Sequence, residues 1–392
     1  MLRLSLLVLA LILSEEAIAG AEKASVPDNQ TAEVSRAELK DRIYGGWVGM
    51  LIGGIEGLPH EFKYIDKPSA TLPEFKYLPN GAVTDDDNDL EWMHLYYMDK
   101  EGALKLPYPR IVEIWKANMN TGIWMANLAA RKLMDAGFVP PETGNPARND
   151  AASYNLSGQF AVESYGLIAP GMPQAAADIG LHYARTAVSG EPLQATRYWT
   201  TLISLNAFRK GTMEELMVEA LQAVDPASAQ AEFVKDAIKA WHDNPADWKA
   251  SRQAMRAKWN LEKDYYHNST ALNGVMVALA LLYGKDDFYP SLQYAMALGY
   301  DADCNAATVG AILGVRMGFE NIRRLPGFAM PDRYRNETRP ELPKEVKVSE
   351  QAEMMMRVCA KVILENGGQK IELDGQPGFR IRLQEPRLIE KP

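Results

Sequence analysis

A glycine stripe within a helix-like segment is the feature that most constrains how this chain can fold. The segment "SRAELKDRIYGGWVGMLIGGIEG" opens with Ser35 and Glu38, at the spacing of a capping box at a helix N-terminus. The glycines that follow lie mostly four residues apart: Gly45, Gly46, Gly49, Gly53 and Gly57. Glycine weakens a helix, but a stripe of glycines lets another backbone approach closely. The sequence therefore predicts a buried central helix.

Helical periodicity continues along most of the chain, and alternating β-branched runs are almost absent before residue 340. Further helices are predicted over residues 89–100, 109–119, 121–136, 158–168, 173–188, 191–209, 212–224, 228–242, 246–259, 268–283, 288–297 and 303–317. The C-terminus adds a helix ending in a glycine pair, and then the alternating runs "QKIELDG" and "GFRIRLQE", which predict a short β-hairpin. We expect an all-α fold, a compact single domain of many helices packed at large angles.

The N-terminus has the pattern of an export signal. Arg3 is followed by an apolar run and by Ala17-Ile18-Ala19, a small-x-small cleavage signal. The run is about ten residues long, too short to span a bilayer. We expect a secreted or periplasmic protein with four regions: a signal peptide (1–19), a flexible leader (20–36), the all-α domain (37–344) and a C-terminal helix and β-hairpin appendage of structural role (345–392).

Composition restricts the classes of partner. The formal net charge is −9 and the pI about 5.3, which argues against nucleic acid or an anionic membrane as a partner. Cys304 and Cys359 are the only cysteines, so one disulfide is the maximum. Phosphate-loop, dinucleotide, serine-nucleophile and zinc-spaced motifs are missing from the sequence. We expect a monomer that acts on a small molecule or a glycan.

Two acidic motifs carry the chemistry. The run "TDDDND" at residues 84–89 is, by itself, typical of an acidic helix start. In "DADCNAATVGAILGVRMG", however, Asp301 and Asp303 open a helix that is otherwise largely apolar. Buried carboxylates are costly unless a cation or hydrogen bonds compensate them, and this spacing suits Mg²⁺, Mn²⁺ or Ca²⁺. Glu61, just past the glycine-rich helix, is placed to activate a water molecule or to cover a metal.

Together these segments resemble the ADP-ribosylglycohydrolase family, of the dinitrogenase-reductase-activating type. The family motif Gly-Asp-Ala-x-Gly-x-Pro-x-Glu corresponds to residues 53–61, and the motif Asp-x-Asp-Thr to residues 301–304. The resemblance covers about residues 37–330. It implies a compact all-α fold, a binuclear Mg²⁺ or Mn²⁺ centre and hydrolysis of an N- or O-glycosidic bond at ribose C1″. Two positions depart from the pattern: Gly54 replaces an aspartate and Cys304 replaces a ligating threonine.

The resemblance also implies residue roles. Glu61 and Asp303 are the candidate catalytic residues, and Asp303 looks like a bridging metal ligand. The family's Thr-Asp-Asp-Thr motif fits here in two registers, starting at Thr84 or at Asp85; the second keeps the apolar face of the helix in phase. The candidate ligands of one or two Mg²⁺ or Mn²⁺ ions are then Asp85, Asp86, Asp87, Asp301 and Asp303. An extra carboxylate at Asp85 could favour Ca²⁺.

The substrate is less well defined by the sequence. Residues 155–173 keep the family's Gly-Leu-x-x-Pro-Gly-x-Pro continuation, but lack the Gly-Asn-Gly and the arginine that help to hold ADP-ribose. The candidate substrate contacts are Asn155, Gln159, His267, Asn268 and Asn305, with helix capping as the alternative for the first two. The sequence predicts a metal-dependent glycosidic-bond hydrolase. The alternatives are a secreted glycosidase acting on a non-ADP-ribosyl glycan or nucleoside, and a non-catalytic cation- or sugar-binding relative.

Overall fold

The computed structural model describes residues 30–259 and 266–389. The predicted signal peptide, residues 1–19, lies outside the described residues. Within them, no helix combines the length and the apolar character needed to cross a membrane.

The all-α fold is confirmed: the described residues form fifteen α-helices and only short strands. The helices are α1 Arg36–Gly57, α2 Asp86–Glu101, α3 Tyr108–Asn118, α4 Met125–Asp135, α5 Glu163–Leu167, α6 Pro173–Ala184, α7 Glu191–Asn206, α8 Met213–Ala220, α9 Ala229–Asp243, α10 Trp248–Trp259, α11 Thr270–Gly284, α12 Phe288–Leu298, α13 Ala302–Met317, α14 Phe319–Ile322 and α15 Val348–Glu365.

The glycine stripe of α1 packs against α13, and the two helices run antiparallel at the centre of the molecule. A Cβ added at Gly49 would lie 2.1 Å from the carbonyl oxygen of Gly310, and one at Gly53 would lie 2.0 Å from that of Ala306. Such distances leave no room for any side chain, so the backbones meet directly. The predicted buried helix is therefore present, and its partner is the helix that begins with the second acidic motif.

The helix predicted over 158–168 is wrong in its first half. Residues Leu156–Gly158 form a short 3₁₀ turn, and α5 begins only at Glu163. Ala161 adopts a left-handed conformation with φ 68°, which no continuous α-helix allows. Gly158 sits where a Cβ would be 2.0 Å from the carbonyl oxygen of Pro192 in α7. Close packing on α7 thus replaces regular helix in this segment.

The predicted C-terminal hairpin is present as β5 Gln369–Leu373 and β6 Gln376–Arg382, joined through Asp374 and Gly375, both left-handed. A third strand, β1 Thr31–Ser35, pairs antiparallel with β6, although the sequence analysis places these residues in the leader. The strand is too short to stand out in the sequence, and only the open edge of the hairpin gives it a partner. α15 joins the core, where the Trp47 indole N–H donates to Gln351 at 3.1 Å.

A second, very small sheet fixes the start of α2. It consists of β2 Ala82–Val83, parallel to β3 Tyr334–Arg335, which pairs antiparallel with β4 Glu345–Val346. The backbone N–H of Thr84 also donates to the carbonyl of Arg335 at 2.9 Å. The acidic run leaves this sheet at once, so its position depends on a segment some 250 residues later in the chain.

Candidate metal centre

The glycine stripe brings Glu61 and the second acidic motif together. A Cβ at Gly57, the last residue of α1, would lie 2.5 Å from the Cα of Asp303 in the first turn of α13. The chain then makes one 3₁₀ turn before Glu61. The next backbone N–H, that of Phe62, donates to the carbonyl of Tyr300 at 2.7 Å. The loop that carries Glu61 is therefore tied to the residues just before α13.

The first turn of α2 is held from the opposite side. The phenol of Tyr334 donates to the Asn88 amide oxygen at 2.5 Å. Asp89 forms an ion pair with Arg339 at 2.7 Å, and both side chains are fully buried. These two partners of the acidic run were not predicted from the sequence, because their contacts join segments far apart in the chain. With Asn88 and Asp89 engaged, Asp87 remains available to face α13.

Two overlapping groups of ligand atoms result. The sulfur-containing triad consists of Asp87, Asp303 and Cys304, and the all-oxygen triad of Glu61, Asp301 and Asp303. In each triad, the potential ligand atoms lie within 4.8 Å of one another. Asp303 belongs to both, which is the position that the resemblance gives to a bridging ligand. Together, the two triads provide enough ligand atoms for one or two cations.

Several carboxylate oxygens of the centre are buried with few partners. Asp87 is 1% exposed, and neither of its carboxylate oxygens has a hydrogen-bond partner other than the adjacent Cys304 thiol. Oδ1 of Asp303, which is 4% exposed, and Oδ2 of Asp85 are likewise buried without a partner. Buried acidic oxygens without donors are strongly unfavourable unless a cation binds them. The donor set therefore fits a divalent cation that prefers oxygen.

The pKa values report the same crowding of negative charge. Burial, followed by the charges of Asp301 and Asp87, raises the pKa of Asp303 well above its ordinary value. Burial, with the charges of Asp301 and Asp85, raises the pKa of Glu61 to about 7. A bound cation reverses this trend because it stabilises the ionised carboxylates.

Asp85 and Asp86 lie close to the centre but stand apart from the triads. Asp85 is the N-cap of α2 and Asp86 its first residue, and within the described chain neither belongs to a group of three ligand atoms at this spacing. Their metal roles stay predictions. The hydroxyl of Thr84 accepts a hydrogen bond from the backbone N–H of Glu337 at 2.9 Å, which favours the register that starts at Asp85.

Three of the candidate substrate contacts form a buried network beside Asp301. The Gln159 amide donates to the Asn305 side-chain oxygen at 3.1 Å, and Asn305 donates to that of Asn273 at 3.0 Å. Asn273, which the sequence analysis missed, also accepts from the backbone N–H of Asp301 at 3.1 Å. Asn268 donates to Asp301 Oδ2 at 2.8 Å. In this structure, these side chains orient the carboxylate of Asp301 and the start of α13.

The remaining two candidates differ from each other. The side-chain oxygen of Asn155 accepts from the backbone N–H of Ser157 at 3.1 Å, which is the capping alternative left open by the sequence. His267 is half-buried, and its Nδ1 has no hydrogen-bond partner among the described residues. Nδ1 of His267, like Oε1 of Gln159, is thus a polar atom of a candidate substrate contact that is still available to a ligand.

Behind the centre lies a buried pair of acids that sequence reasoning missed. Glu91 and Glu163 are both 0% exposed. Glu91 accepts from the Ser164 backbone N–H at 3.0 Å, and Glu163 accepts from the Thr308 hydroxyl of α13 at 2.7 Å. Burial raises the pKa of Glu163 to about 7, and burial together with the charge of Glu163 raises the pKa of Glu91 well above its ordinary value.

This pair predicts a pH-dependent stability. Because the folded-state pKa of Glu163 is raised, its contribution to stability is full below its ordinary pKa and is lost as the pH rises through about 7. We expect the free energy of unfolding to fall less between about pH 5 and about pH 8 in Glu163→Gln than in wild type. Urea unfolding at several pH values measures it, with the exposed Glu372→Gln as the matched control. An unchanged pH profile in Glu163→Gln would contradict the prediction.

Residues 35–360 match the sequence profile of the ADP-ribosylglycohydrolase family. The chain belongs to this family. A solved structure described as an "ADP-ribosylglycohydrolase-related protein complex" has a similar fold, with a TM-score of 0.53 and 16% sequence identity. The alignment covers 83% of this chain and 99% of that one. No curated protein matches this chain in sequence at a significant level.

The ADP-ribosylglycohydrolase match includes every residue of both triads. It also includes the side-chain network beside Asp301, which consists of Gln159, Asn268, Asn273 and Asn305. It also includes most of α15. The two departures from the family's motifs, Gly54 and Cys304, lie within the match.

Proposed function

We propose that this protein is a metal-dependent hydrolase that cleaves a glycosidic bond at a sugar C1. The observation that carries the proposal is that Asp303 belongs to both triads, next to Glu61, at the meeting point of α1 and α13. Membership of the ADP-ribosylglycohydrolase family supports the reaction class. The export signal predicted in residues 1–19 leads us to propose that the enzyme acts outside the cytoplasm.

The chemistry of the site follows from its residues. A divalent cation held by Asp87, Asp301 and Asp303 would act as a Lewis acid toward water and sugar hydroxyls. Glu61 is exposed to solvent and lies at the edge of the all-oxygen triad, where its carboxylate would accept the proton of the attacking water. Water adds to the anomeric carbon as the bond to the leaving group breaks, through an oxocarbenium-like state. The Asn268 amide keeps Asp301 in position throughout.

The substrate class follows from what the site lacks. ADP-ribose is the family's default, but residues 149–165 contain acidic and neutral side chains and no lysine or arginine to pair with phosphates. Within this segment the side-chain oxygen of Asn155 and the side-chain N–H of Gln159 are buried and already hydrogen-bonded. These observations favour, as a second candidate, a glycan or nucleoside without a diphosphate.

Metal removal tests the proposal. A panel of ADP-ribosyl and p-nitrophenyl glycosides first identifies a substrate that the protein hydrolyses. We expect chelation to abolish hydrolysis of this substrate, because the buried carboxylates lose their counter-charge. Addition of Mg²⁺, Mn²⁺ or Ca²⁺ should restore it. Product release measured before and after add-back checks this. Glu61→Gln should lower turnover by roughly 10²–10⁴-fold if Glu61 acts as the base.

Undiminished hydrolysis by the chelated protein would exclude the metal role. Cation binding together with sugar binding, but without turnover of any panel member, would instead favour the non-catalytic relative.

A further inference from the structure

The two triads differ in the chemistry of their donor atoms. The all-oxygen triad offers three carboxylates, whereas the sulfur-containing triad offers two carboxylates and the Cys304 thiol. All three members of the sulfur-containing triad are buried, with Asp87 1%, Asp303 4% and Cys304 7% exposed. Apart from the Cys304 thiol, both carboxylate oxygens of Asp87 and Oδ1 of Asp303 have no hydrogen-bond partner. Buried oxygens that are free to bind a metal therefore lie next to the thiol.

A second departure from the family motif affects the same place. A Cβ at Gly54 would lie 3.7 Å from Oδ2 of Asp87, so the aspartate that the family motif has here would start beside the sulfur-containing triad. Relative to that motif, the triad has lost one carboxylate at Gly54 and one hydroxyl oxygen at Cys304, and it has gained one sulfur. Both changes make its donor set poorer in hard oxygen.

Metal preference follows donor softness. A thiolate is a poor ligand for Mg²⁺ and Ca²⁺, but it binds Zn²⁺ and Co²⁺ well, and these metals also accept carboxylate oxygens. We propose that the sulfur-containing triad selects a borderline-soft divalent cation of the zinc type through the Cys304 thiolate, while the all-oxygen triad takes a hard cation. The inference rests on the cation role proposed above. It predicts that the two positions of the centre prefer different metals.

Binding at this triad requires the thiol to ionise. Binding of the cation forms the metal–sulfur bond and releases the thiol proton to solvent.

Cobalt is the spectroscopic probe. We expect Co²⁺ added to the metal-free full-length protein to produce a sulfur-to-cobalt charge-transfer band in the near ultraviolet, which Cys304→Ser and Cys304→Thr abolish. The matched control is Cys359→Ser, since Cys359 is a buried thiol in α15 and should leave the band intact. Thermal melting of each variant confirms that it is folded.

Calorimetry then measures selectivity. We expect zinc affinity to fall by at least about tenfold in Cys304→Thr, because even the outer partners of metal ligands contribute roughly 10–100-fold. Mg²⁺ or Mn²⁺ affinity should be unchanged or higher, since threonine restores a hydroxyl oxygen. Cobalt binding without a sulfur band, or zinc affinity equal in wild type and both variants, would overturn the inference and leave the general cation role standing. If none of Co²⁺, Zn²⁺, Mg²⁺, Mn²⁺ and Ca²⁺ binds, both proposals fail.

Discussion

Asp303→Asn is expected to abolish cation binding and hydrolysis together. Asp303 is the residue that both triads share, so one substitution removes a ligand from each. Asparagine keeps the shape of the side chain but lacks its negative charge, which is the main attraction for a hard cation. We expect the affinity for Mg²⁺ or Mn²⁺ to fall by more than about a hundredfold, beyond the effect of losing an outer partner.

The same substitution should not destabilise the metal-free protein. Without a cation, Asp303 is a buried acid near Asp301, Asp87 and Glu61, and its burial, followed by their charges, raises its pKa. Asparagine cannot ionise, so it avoids the cost of placing a further charge in this buried cluster, and the melting temperature without metal should be equal or higher. The stabilisation that wild type gains from added cation should disappear, since only binding to the folded state produces it.

Calorimetric titration and melting curves with and without cation separate these effects. Asp374→Asn is the matched control, because Asp374 is an exposed aspartate in the left-handed turn between β5 and β6, a conformation that asparagine tolerates. Cation-dependent stabilisation of Asp303→Asn equal to that of wild type would refute the proposed centre.

Much of the centre could be predicted because its decisive residues are local signals. The spacing of Asp301 and Asp303, and the acidic run before α2, are visible in short windows of sequence. The glycine stripe predicted close packing of α1, but not its partner, since periodicity contains no information on which helix lies opposite. α13 has its own glycines at Gly310 and Gly314, at the same four-residue spacing. The matching glycine spacing in the two helices was the signal from which their pairing could have been predicted.

The residues that were not predicted from the sequence share one physical property. Their roles depend on contacts with residues far away in the chain. Arg339 lies in a proline-rich connector and reads as an ordinary surface cation, yet it is fully buried against Asp89. Asn273 lies within an apolar helix, where its amide looks like a defect until Asp301 and Asn305 supply its partners. Buried polar groups of this kind must be satisfied, but the sequence does not say by which residue.

Gly53→Ala is expected to destabilise the whole domain. The added Cβ would lie 2.0 Å from the carbonyl oxygen and 2.4 Å from the carbonyl carbon of Ala306, and neither backbone atom can rotate away. The two central helices must separate, so the free energy of unfolding should fall by about 3 kcal/mol or more, at or above the upper end of ordinary overpacking.

The neighbouring glycine provides a matched control within the same turn of α1. At Gly54 the nearest atoms to an added Cβ lie 3.6 Å away or more, which is ordinary contact. Gly54→Ala should therefore leave stability unchanged or raise it by up to about 1 kcal/mol, because alanine favours helix. Urea unfolding compares the two variants directly, and equal stabilities would mean that α1 and α13 do not pack through this stripe.

The same pair of variants also tests the link between fold and site. Because Gly57 abuts the Cα of Asp303, any separation of the helices moves one side of the centre relative to the other. Cation affinity should therefore fall in Gly53→Ala under conditions where the variant is still folded, and it should persist in Gly54→Ala. Unaltered affinity in a folded Gly53→Ala protein would show that the triads are held by the asparagine network and the α2 contacts rather than by the glycine stripe.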